Sequence, residues 1–354
     1  MINPITYNTC SIHFVNQDFT VLDAYIHKQN YSKVFVLVDN NTHIHCLPLL
    51  TERLSISVDV IRIESGEETK NITTSLQVWE ALSNLGADKK SLLINLGGGV
   101  VTDLGGFVAS TFRRGIDYIN IPTTLLAMVD AAIGGKTGVD LGNLKNQIGL
   151  VRNPKMVLID TFFLKTLSED EKKSGMAEML KHGLIDSKKH WLQLTKGNML
   201  SNANSLPLIY DSIQIKKQIV TQDPSEDGIR KALNFGHTLG HAIETYALSK
   251  KEIKPLLHGE AVAIGIIMES YISSKLTSFS VKDCDEVKRV ILSQFKQVIF
   301  PESSYKDIIE LTAFDKKNTF GNVNFVLLED IGKPKLDCRV DKSLIIEAFK
   351  FYNS

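Results

Sequence analysis

The feature that most constrains this chain is a set of short β-branched runs confined to its first 160 residues. KVFVLVDNN (33–41), VDVIRI (58–63), SLLINLGGG (91–99), DYINIPTT (117–124) and KMVLID (155–160) read as strands, with amphipathic helical stretches between several of them. Such alternation builds a parallel sheet covered by helices. After about residue 165 the β-rich runs nearly vanish, and segments such as EKKSGMAEMLKHGLI and LPLIYDSIQIKKQIV space their apolar residues at three and four. With 354 residues, 43% of them apolar, the chain is long enough for two packed cores. The expectation is an α/β domain over 1–165 and a mostly helical, all-α domain over 166–354, joined between Asp160 and Ser168. One late segment, NVNFVLLEDIGKPKL, reads as a small hairpin inside the helical half, and no repeat interrupts either part.

The turn LLINLGGGVVTDLGGF sets three glycines directly after a strand and before a helix. Backbone amides in such a turn can approach a pyrophosphate at a helix N-terminus, where side chains would otherwise intrude. The segment does not fit GxGxxG, because Thr102 stands where the last glycine belongs. A GGG alone is as compatible with a tight strand-to-helix turn as with a nucleotide site. Asp39, at the end of the first strong strand, adds an acceptor for a ribose. Glu67 and Lys70 in SGEETK, with Thr123 and Thr124 in IPTTLLAMVD, fall at or just after strand ends, where a cofactor crevice would open. Together these residues favour a nucleotide.

In LNFGHTLGHAIE, His237 and His241 lie four apart, so a helix would stack them on one face. Any single histidine is more often held by a backbone carbonyl or solvent than by a metal. The neighbours shift that balance. HGEAVAIGI places His258 at the start of another helix, and GMAEMLKHG supplies Glu178 in an apolar turn, followed by Lys181 and His182. One carboxylate with two or three imidazoles and no thiolate is the ligand set of a catalytic zinc with an open coordination position. If Glu178, His237 and His258 bind the metal, His241 is left to hydrogen-bond substrate or move a proton. His182 is either a further ligand or a solvent-facing residue. The four cysteines, Cys10, Cys46, Cys284 and Cys338, form no CxxC pair, which argues against a disulfide framework or a thiolate zinc site and for a reducing cytoplasm.

Forty basic residues balance forty acidic ones, so no overall field draws the chain toward nucleic acid or an anionic membrane. The start MINPITYNTC has no basic stretch followed by an apolar run, and no long uncharged apolar span follows, so neither export nor membrane insertion is expected. An anionic ligand would need a local cluster. KKQIVTQDPSEDGIRKALN leads into the histidine pair with Lys216, Glu226, Arg230 and Asn234, and further cations come from Arg113, Arg114, Lys136, Lys145 beside Asn146, and Lys316 with Lys317. Most lysines are merely solvated. Cations gathered around glycine-rich and histidine-rich stretches instead suit a small substrate with a carboxylate and a phosphate, the arginine giving bidentate contact.

The run GGGVVTDLGGFVASTFRRGIDYINIPTTLLAMVDAAIGGKTGVD, then LKNQIG, GMAEMLK, DPSEDGIRKALNFGHTLGHAIE, HGEAVAIG and DKKNTFG, closely resembles the 3-dehydroquinate synthase family of the sugar-phosphate cyclase superfamily. The motifs keep the family's order from about residue 35 to residue 330. The resemblance implies a Rossmann-like NAD domain, a helical metal domain, an active site in the cleft between them, and a homodimer. By position it implies Glu178, His237 and His258 as ligands of zinc or cobalt. It implies NAD contacts at Asp39, Asn41, Glu67, Lys70, Gly98, Gly99, Asp103, Thr123, Thr124, Lys136, Lys145 and Thr166. Around substrate it implies Asp130, Lys136, Asn146, Lys181, Lys216, Glu226, Arg230, Asn234 and His241, with Lys316 or Lys317, and Arg114 lent across the dimer. VDAAIGGK departs from the family in carrying alanines where serine is frequent, Leu144 replaces a glycine, and TLSEDE lacks the usual proline and arginine.

The implied activity is that of a phosphorus–oxygen lyase of the shikimate pathway, converting 3-deoxy-D-arabino-heptulosonate 7-phosphate into 3-dehydroquinate and phosphate. It runs through transient oxidation at C5 by NAD, elimination of phosphate, re-reduction, ring opening and aldol closure. The alternatives are a cyclase making deoxy-inosose or a valiolone, a metal-dependent alcohol or glycerol dehydrogenase, and a binding protein without catalysis. Substrates of the other cyclases lack the carboxylate, so Arg230 with Lys216 and Asn234 favours the dehydroquinate reading.

Overall fold

A computed structural model describes residues 2–142, 144–196, 205–250, 254–314 and 323–354. It divides into two compact units, Met1–Ser168 and Glu169–Ser354.

The first unit is built on a seven-stranded sheet. Its strands are β1 (Ile5–Tyr7), β2 (Cys10–Val15), β3 (Val34–Asp39), β4 (Asp59–Ile63), β5 (Leu92–Gly97), β6 (Asp117–Pro122) and, after a separate two-stranded hairpin of β7 (Lys136–Leu141) and β8 (Leu144–Val151), β9 (Met156–Asp160). The order across the sheet is β1-β2-β9-β6-β5-β3-β4. Only the β1–β2 edge is antiparallel; the other pairings are parallel. All five runs read as strands are strands. β5 is buried at every position, as a strand covered on both faces must be, and this explains its unbroken apolar character.

Helices α1 (Thr20–Gln29), α2 (Asn40–His45), α3 (Leu47–Thr51), α4 (Ile72–Asn84) and α5 (Gly99–Thr111) complete the unit. The glycines of α5 matter for packing. A Cβ on Gly105 would lie 2.0 Å from Asn95 Oδ1, and one on Gly106 2.4 Å from Thr137 Cγ2, so only hydrogen there lets α5 settle between the sheet and the hairpin. Asn95 sits fully buried in β5 and donates to Asn120 Oδ1 of β6 at 2.9 Å.

The second unit holds α6 (Glu169–Asp186), α7 (Lys188–Thr195), α8 (Ser205–Gln222), α9 (His237–Ser249), α10 (His258–Leu276), α11 (Val281–Gln294), α12 (Glu302–Leu311) and α13 (Lys342–Asn353). The expected late hairpin is present as β10 (Phe325–Asp330) paired antiparallel with β11 (Lys333–Cys338). From Ser174 to Ile185 every residue of α6 is buried, so this helix runs through the core instead of presenting one apolar stripe. α10 is similar, and its close approach to α9 depends on Gly265, where a Cβ would lie 1.9 Å from Gly236 O.

Candidate active site

In the second unit, the break before α9 puts the histidines in place. Gly236 adopts φ 78, a left-handed conformation that frees the chain from the 3-10 turn Ile229–Asn234, and a Cβ there would meet Ile266 Cγ1 at 2.5 Å. His237 is therefore the first residue of α9, His241 lies one turn on, and His258 is the first residue of α10. Ring centroids are 5.1 Å apart for His237 and His241, 5.5 Å for His237 and His258, and 5.7 Å for His241 and His258. One nitrogen from each ring lies within 4.8 Å of the others.

Glu178, fully buried in the middle of α6, faces two of them, with Oε1 3.5 Å from His237 Nε2 and 3.7 Å from His258 Nε2. The far nitrogens are tied down. His237 Nδ1 donates to Phe235 O at 3.1 Å, and His258 Nδ1 donates to Glu244 Oε2 at 3.4 Å. A carbonyl oxygen can only accept, so the proton of a neutral His237 sits on Nδ1 and the Nε2 lone pair points at Glu178. Ligand bonds of about 2.0–2.1 Å in a tetrahedron separate ligand atoms by about 3.3 Å, close to the spacing found between Glu178 and the two Nε2 atoms. The donor set of one carboxylate and two or three imidazoles, without thiolate, thus fits a divalent catalytic metal. Burial alone would lower the pKa of His258, but the hydrogen bonds its ring donates to Glu178 and Glu244 outweigh it and raise the value to about 10. Those same negative surroundings favour a divalent cation in place of the proton.

One buried cation stands directly against Glu178. Lys181, 1% exposed and one turn beyond Glu178, pairs with Glu178 Oε2. Lys216 of α8 and Arg230 of the 3-10 turn are also buried. These three overturn the default that a lysine or arginine in a neutral protein is surface. His182 is likewise buried, its Nδ1 2.7 Å from Ser212 Oγ, which corrects the solvent-facing alternative. The loop before Arg230 winds around Asp223, which accepts from the backbone N–H of Asp227 at 3.2 Å, Gly228 at 2.7 Å and Arg230 at 3.0 Å. Burial works to raise the Asp223 pKa, but the bonds from Arg230, Gly228 and their neighbours hold it below the usual range. Arg230 Nη1 donates to Pro224 O at 2.9 Å, and Asn234 Nδ2 to Glu226 Oε1 at 3.1 Å. Glu226 itself has φ 66, an uncommon conformation for a non-glycine residue and one that recurs at functional sites. Lys316 and Lys317 lie outside the described residues.

In the first unit the glycine turn is where the sequence put it. Gly98 is the N-cap of α5 and Gly99 its first residue; a Cβ on Gly98 would lie 2.9 Å from Thr124 Cγ2. Thr123 is buried, its N–H donating to Gly97 O at 3.0 Å. Nearby, Lys70 is 4% exposed, with Nζ 2.8 Å from Asp103 Oδ2, 2.6 Å from Asn146 Oδ1 and 3.9 Å from Glu67 Oε1. Lys145 Nζ reaches the same Glu67 oxygen at 3.5 Å. Burial would lower the Lys70 pKa, but Asp103 and then Glu67 more than offset it, so the ammonium stays above its ordinary value. Burial pushes the Asp103 carboxyl up, against the pull of Lys70.

The structure therefore gathers Glu67, Lys70, Asp103, Lys145 and Asn146 into one charged cluster. Asp140, which the sequence reading missed, supports it by accepting from Asn146 N at 2.6 Å. Asn146 has φ 53.

The remaining residues are more dispersed. Asp39 caps α2, its Oδ1 accepting from Thr42 N at 2.7 Å, and Asn41 is exposed. Thr166 Oγ1 donates to Phe163 O at 2.8 Å. Asp130 lies in the π-helical turn Ala127–Ala131, and Lys136 opens β7, exposed. Arg114 is exposed on a turn with φ 48 at Arg113 and 61 at itself, held by Lys89 Nζ, which donates to the carbonyls of Arg113 at 3.2 Å, Arg114 at 3.1 Å and Gly115.

Residues 60–174 match the family model described as 3-dehydroquinate synthase N-terminal, and residues 175–318 the one described as 3-dehydroquinate synthase C-terminal. A 3-dehydroquinate synthase from Parabacteroides distasonis is 43% identical over 334 residues, covering 94% of each chain. Among solved structures, a 2-deoxy-scyllo-inosose synthase complexed with carbaglucose-6-phosphate, NAD+ and Co2+ is similar with a TM-score of 0.81 and 25% identity, covering 96% of each chain. A 2-epi-5-epi-valiolone synthase from Streptomyces hygroscopicus subsp. jinggangensis, with NAD+ and Zn2+ bound, gives a TM-score of 0.81 at 24% identity, covering 99% of this chain and 98% of that one.

Proposed function

The chain belongs to the 3-dehydroquinate synthase family, and we propose that it carries out that family's reaction, a phosphorus–oxygen lyase step turning 3-deoxy-D-arabino-heptulosonate 7-phosphate into 3-dehydroquinate and inorganic phosphate. The observation that carries the reading is the convergence of Glu178, His237 and His258 with both outer imidazole nitrogens already engaged and with buried Lys181 paired to Glu178.

Glu178, His237 and His258 would hold zinc or cobalt, and the α5 N-terminus at Gly98 and Gly99, with Asp39, Asn41, Glu67, Lys70, Asp103, Thr123, Thr124, Lys136, Lys145 and Thr166, would hold NAD. When bound, NAD supplies a reversible hydride acceptor and the divalent ion a Lewis acid for the substrate oxygens. The protein's own groups do the rest. Arg230 presents a planar fork to the substrate carboxylate, with its direction set by Pro224 O and the Asp223 loop. Lys136, Asn146, Asn234 and a lysine of the 316–317 pair anchor the remaining anionic and hydroxyl groups. His241, left out of the metal set, stands beside His237 to hydrogen-bond a substrate hydroxyl and pass its proton. Asp130, Lys181, Lys216 and Glu226 orient hydroxyls and balance charge. Once C5 is a ketone, the C6 hydrogen is acidic; the phosphate takes that proton as the C7–O bond breaks with its electron pair going to phosphate. Holding one substrate among buried cations keeps the intermediates from escaping.

The enzyme acts as a homodimer in this reading, Arg114 reaching the site of the second protomer. The thiols of Cys10, Cys46, Cys284 and Cys338 are all free, which supports a reducing cytoplasm, and no helix among the described residues is long and apolar enough to cross a membrane. Purified protein with catalytic NAD and zinc is expected to release phosphate from the heptulosonate phosphate without accumulating NADH. Inertness toward that substrate together with turnover of glucose 6-phosphate or sedoheptulose 7-phosphate would reassign it to one of the sister cyclases. Net NADH formation from a simple polyol would reassign it to a dehydrogenase.

A further inference from the structure

We propose that Glu269 is a positioning residue for the metal ligand His237, an inference that rests on the metal site described above. The start of α9 has an unmet need. Its N-cap is Gly236, which has no side chain to accept from the first-turn N–H groups, and the turn is buried. Glu269, on α10 and 0% exposed, supplies the acceptors: Oε2 takes the N–H of Gly236 at 2.6 Å and Oε1 takes that of Leu239 at 3.2 Å. His237 lies between those two donors. One carboxylate from another helix therefore grips the backbone on both sides of the ligand, and its charge suits the positive end of α9.

The other tie on His237, from Nδ1 to Phe235 O, belongs to the same turn and moves with it. Glu269 holds the backbone of that turn from another helix. It also comes from the helix that begins with His258, eleven residues earlier, which at about 3.6 residues per turn places His258 and Glu269 on the same face. Gly265, seven residues after His258, lies against Gly236 O on that face. A single face of α10 thus carries one histidine ligand and clamps the helix start that carries the other, which sets the spacing between the two Nε2 atoms.

Full-length wild type, E269Q and E269A are compared for zinc affinity by competition with a chromogenic chelator, and for the rise in Tm on adding zinc. The amide of E269Q keeps one acceptor and turns a donor toward the second N–H, so zinc binding is expected to weaken about tenfold, and more in E269A. The zinc-induced rise in Tm is expected to shrink in step. A purely structural role would lower Tm equally with and without zinc and leave the affinity alone; wild-type affinity with an unchanged Tm rise in folded E269Q overturns the proposal. Should E269A fail to fold, E269Q decides. Wild type that binds no zinc would sink the metal reading itself, an outcome distinct from a wild-type-like E269Q.

Discussion

Glu244 Oε2 lies 3.4 Å from His258 Nδ1, joining the last turns of one helix to the first residue of the next through the imidazole proposed to bind metal. The carboxylate holds the ring so that Nε2 faces Glu178, and it makes that nitrogen a stronger donor. Replacing Glu244 by Gln is expected to weaken zinc binding about tenfold, and by Ala about a hundredfold, while turnover at saturating zinc falls less. Equilibrium dialysis against zinc checks this; affinities equal to wild type would mean the contact is incidental.

Arg230 is 2% exposed and oriented by Pro224 O at 2.9 Å. Arg230→Lys keeps the charge and loses the fork, so KM for the heptulosonate phosphate is expected to rise about tenfold to a hundredfold with a smaller change in kcat. Steady-state kinetics at saturating NAD and zinc measures it. A normal KM would remove Arg230 from the carboxylate role.

The left-handed turn that presents Arg114, its carbonyls gathered by Lys89, suggests a complementation test. Arg114→Ala and His258→Ala are each expected to be nearly inactive alone. If Arg114 acts in the partner's site, a mixed dimer contains one site with both an intact metal centre and an intact arginine. Unfolding and refolding an equal mixture should then recover about a quarter of wild-type activity per subunit. No recovery in mixtures shown to contain mixed dimers would place Arg114 in its own protomer's site or in none.

His190 on α7 is 2% exposed, and neither ring nitrogen has a hydrogen-bond partner among the described residues. Burial pushes its pKa from 6.5 down to about 4. Between those values the unfolded chain binds more protons than the folded one, so this residue's contribution to stability is fully present above 6.5 and is lost as the pH falls toward about 4. The loss amounts to about 3 kcal/mol at its limit. Urea unfolding of wild type and His190→Leu should show a stability difference that shifts by about that amount in favour of the variant from neutral pH to the acid end. A difference independent of pH would show that His190 is solvated or paired when protonated.

Local periodicity made much of the first unit readable. β3, β5, β6 and β9 are almost wholly buried runs and β4 an edge strand burying Ile61 and Ile63, so their β-branched residues report their own environment, and the glycine turn shows itself because Gly98 and Gly105 have no room for a Cβ. The β7–β8 hairpin was invisible for the opposite reason. β8 buries no residue fully, its only apolar packing being the half-buried Ile148 and Leu150, and the pair depends on Gly138 and Gly149 passing closely, where a Cβ on Gly149 would lie 2.2 Å from Thr137 O. In the second unit, the four-residue spacing of His237 and His241 announced a shared face, but Glu244 stood in the same motif without an assigned partner.

By itself the sequence determined the chemical inventory and the order of elements: a strand-turn-helix free of side chains at the turn, two imidazoles one helical turn apart, and cations near both. Those are properties of neighbours along a chain, which backbone geometry alone brings together. Tertiary structure decided which of them are desolvated and what each faces. Lys70 meets Asn146 across 76 positions and Gly236 meets Glu269 across 33. Packing chooses such partners by closing long loops around a core, and no period in the sequence encodes the choice.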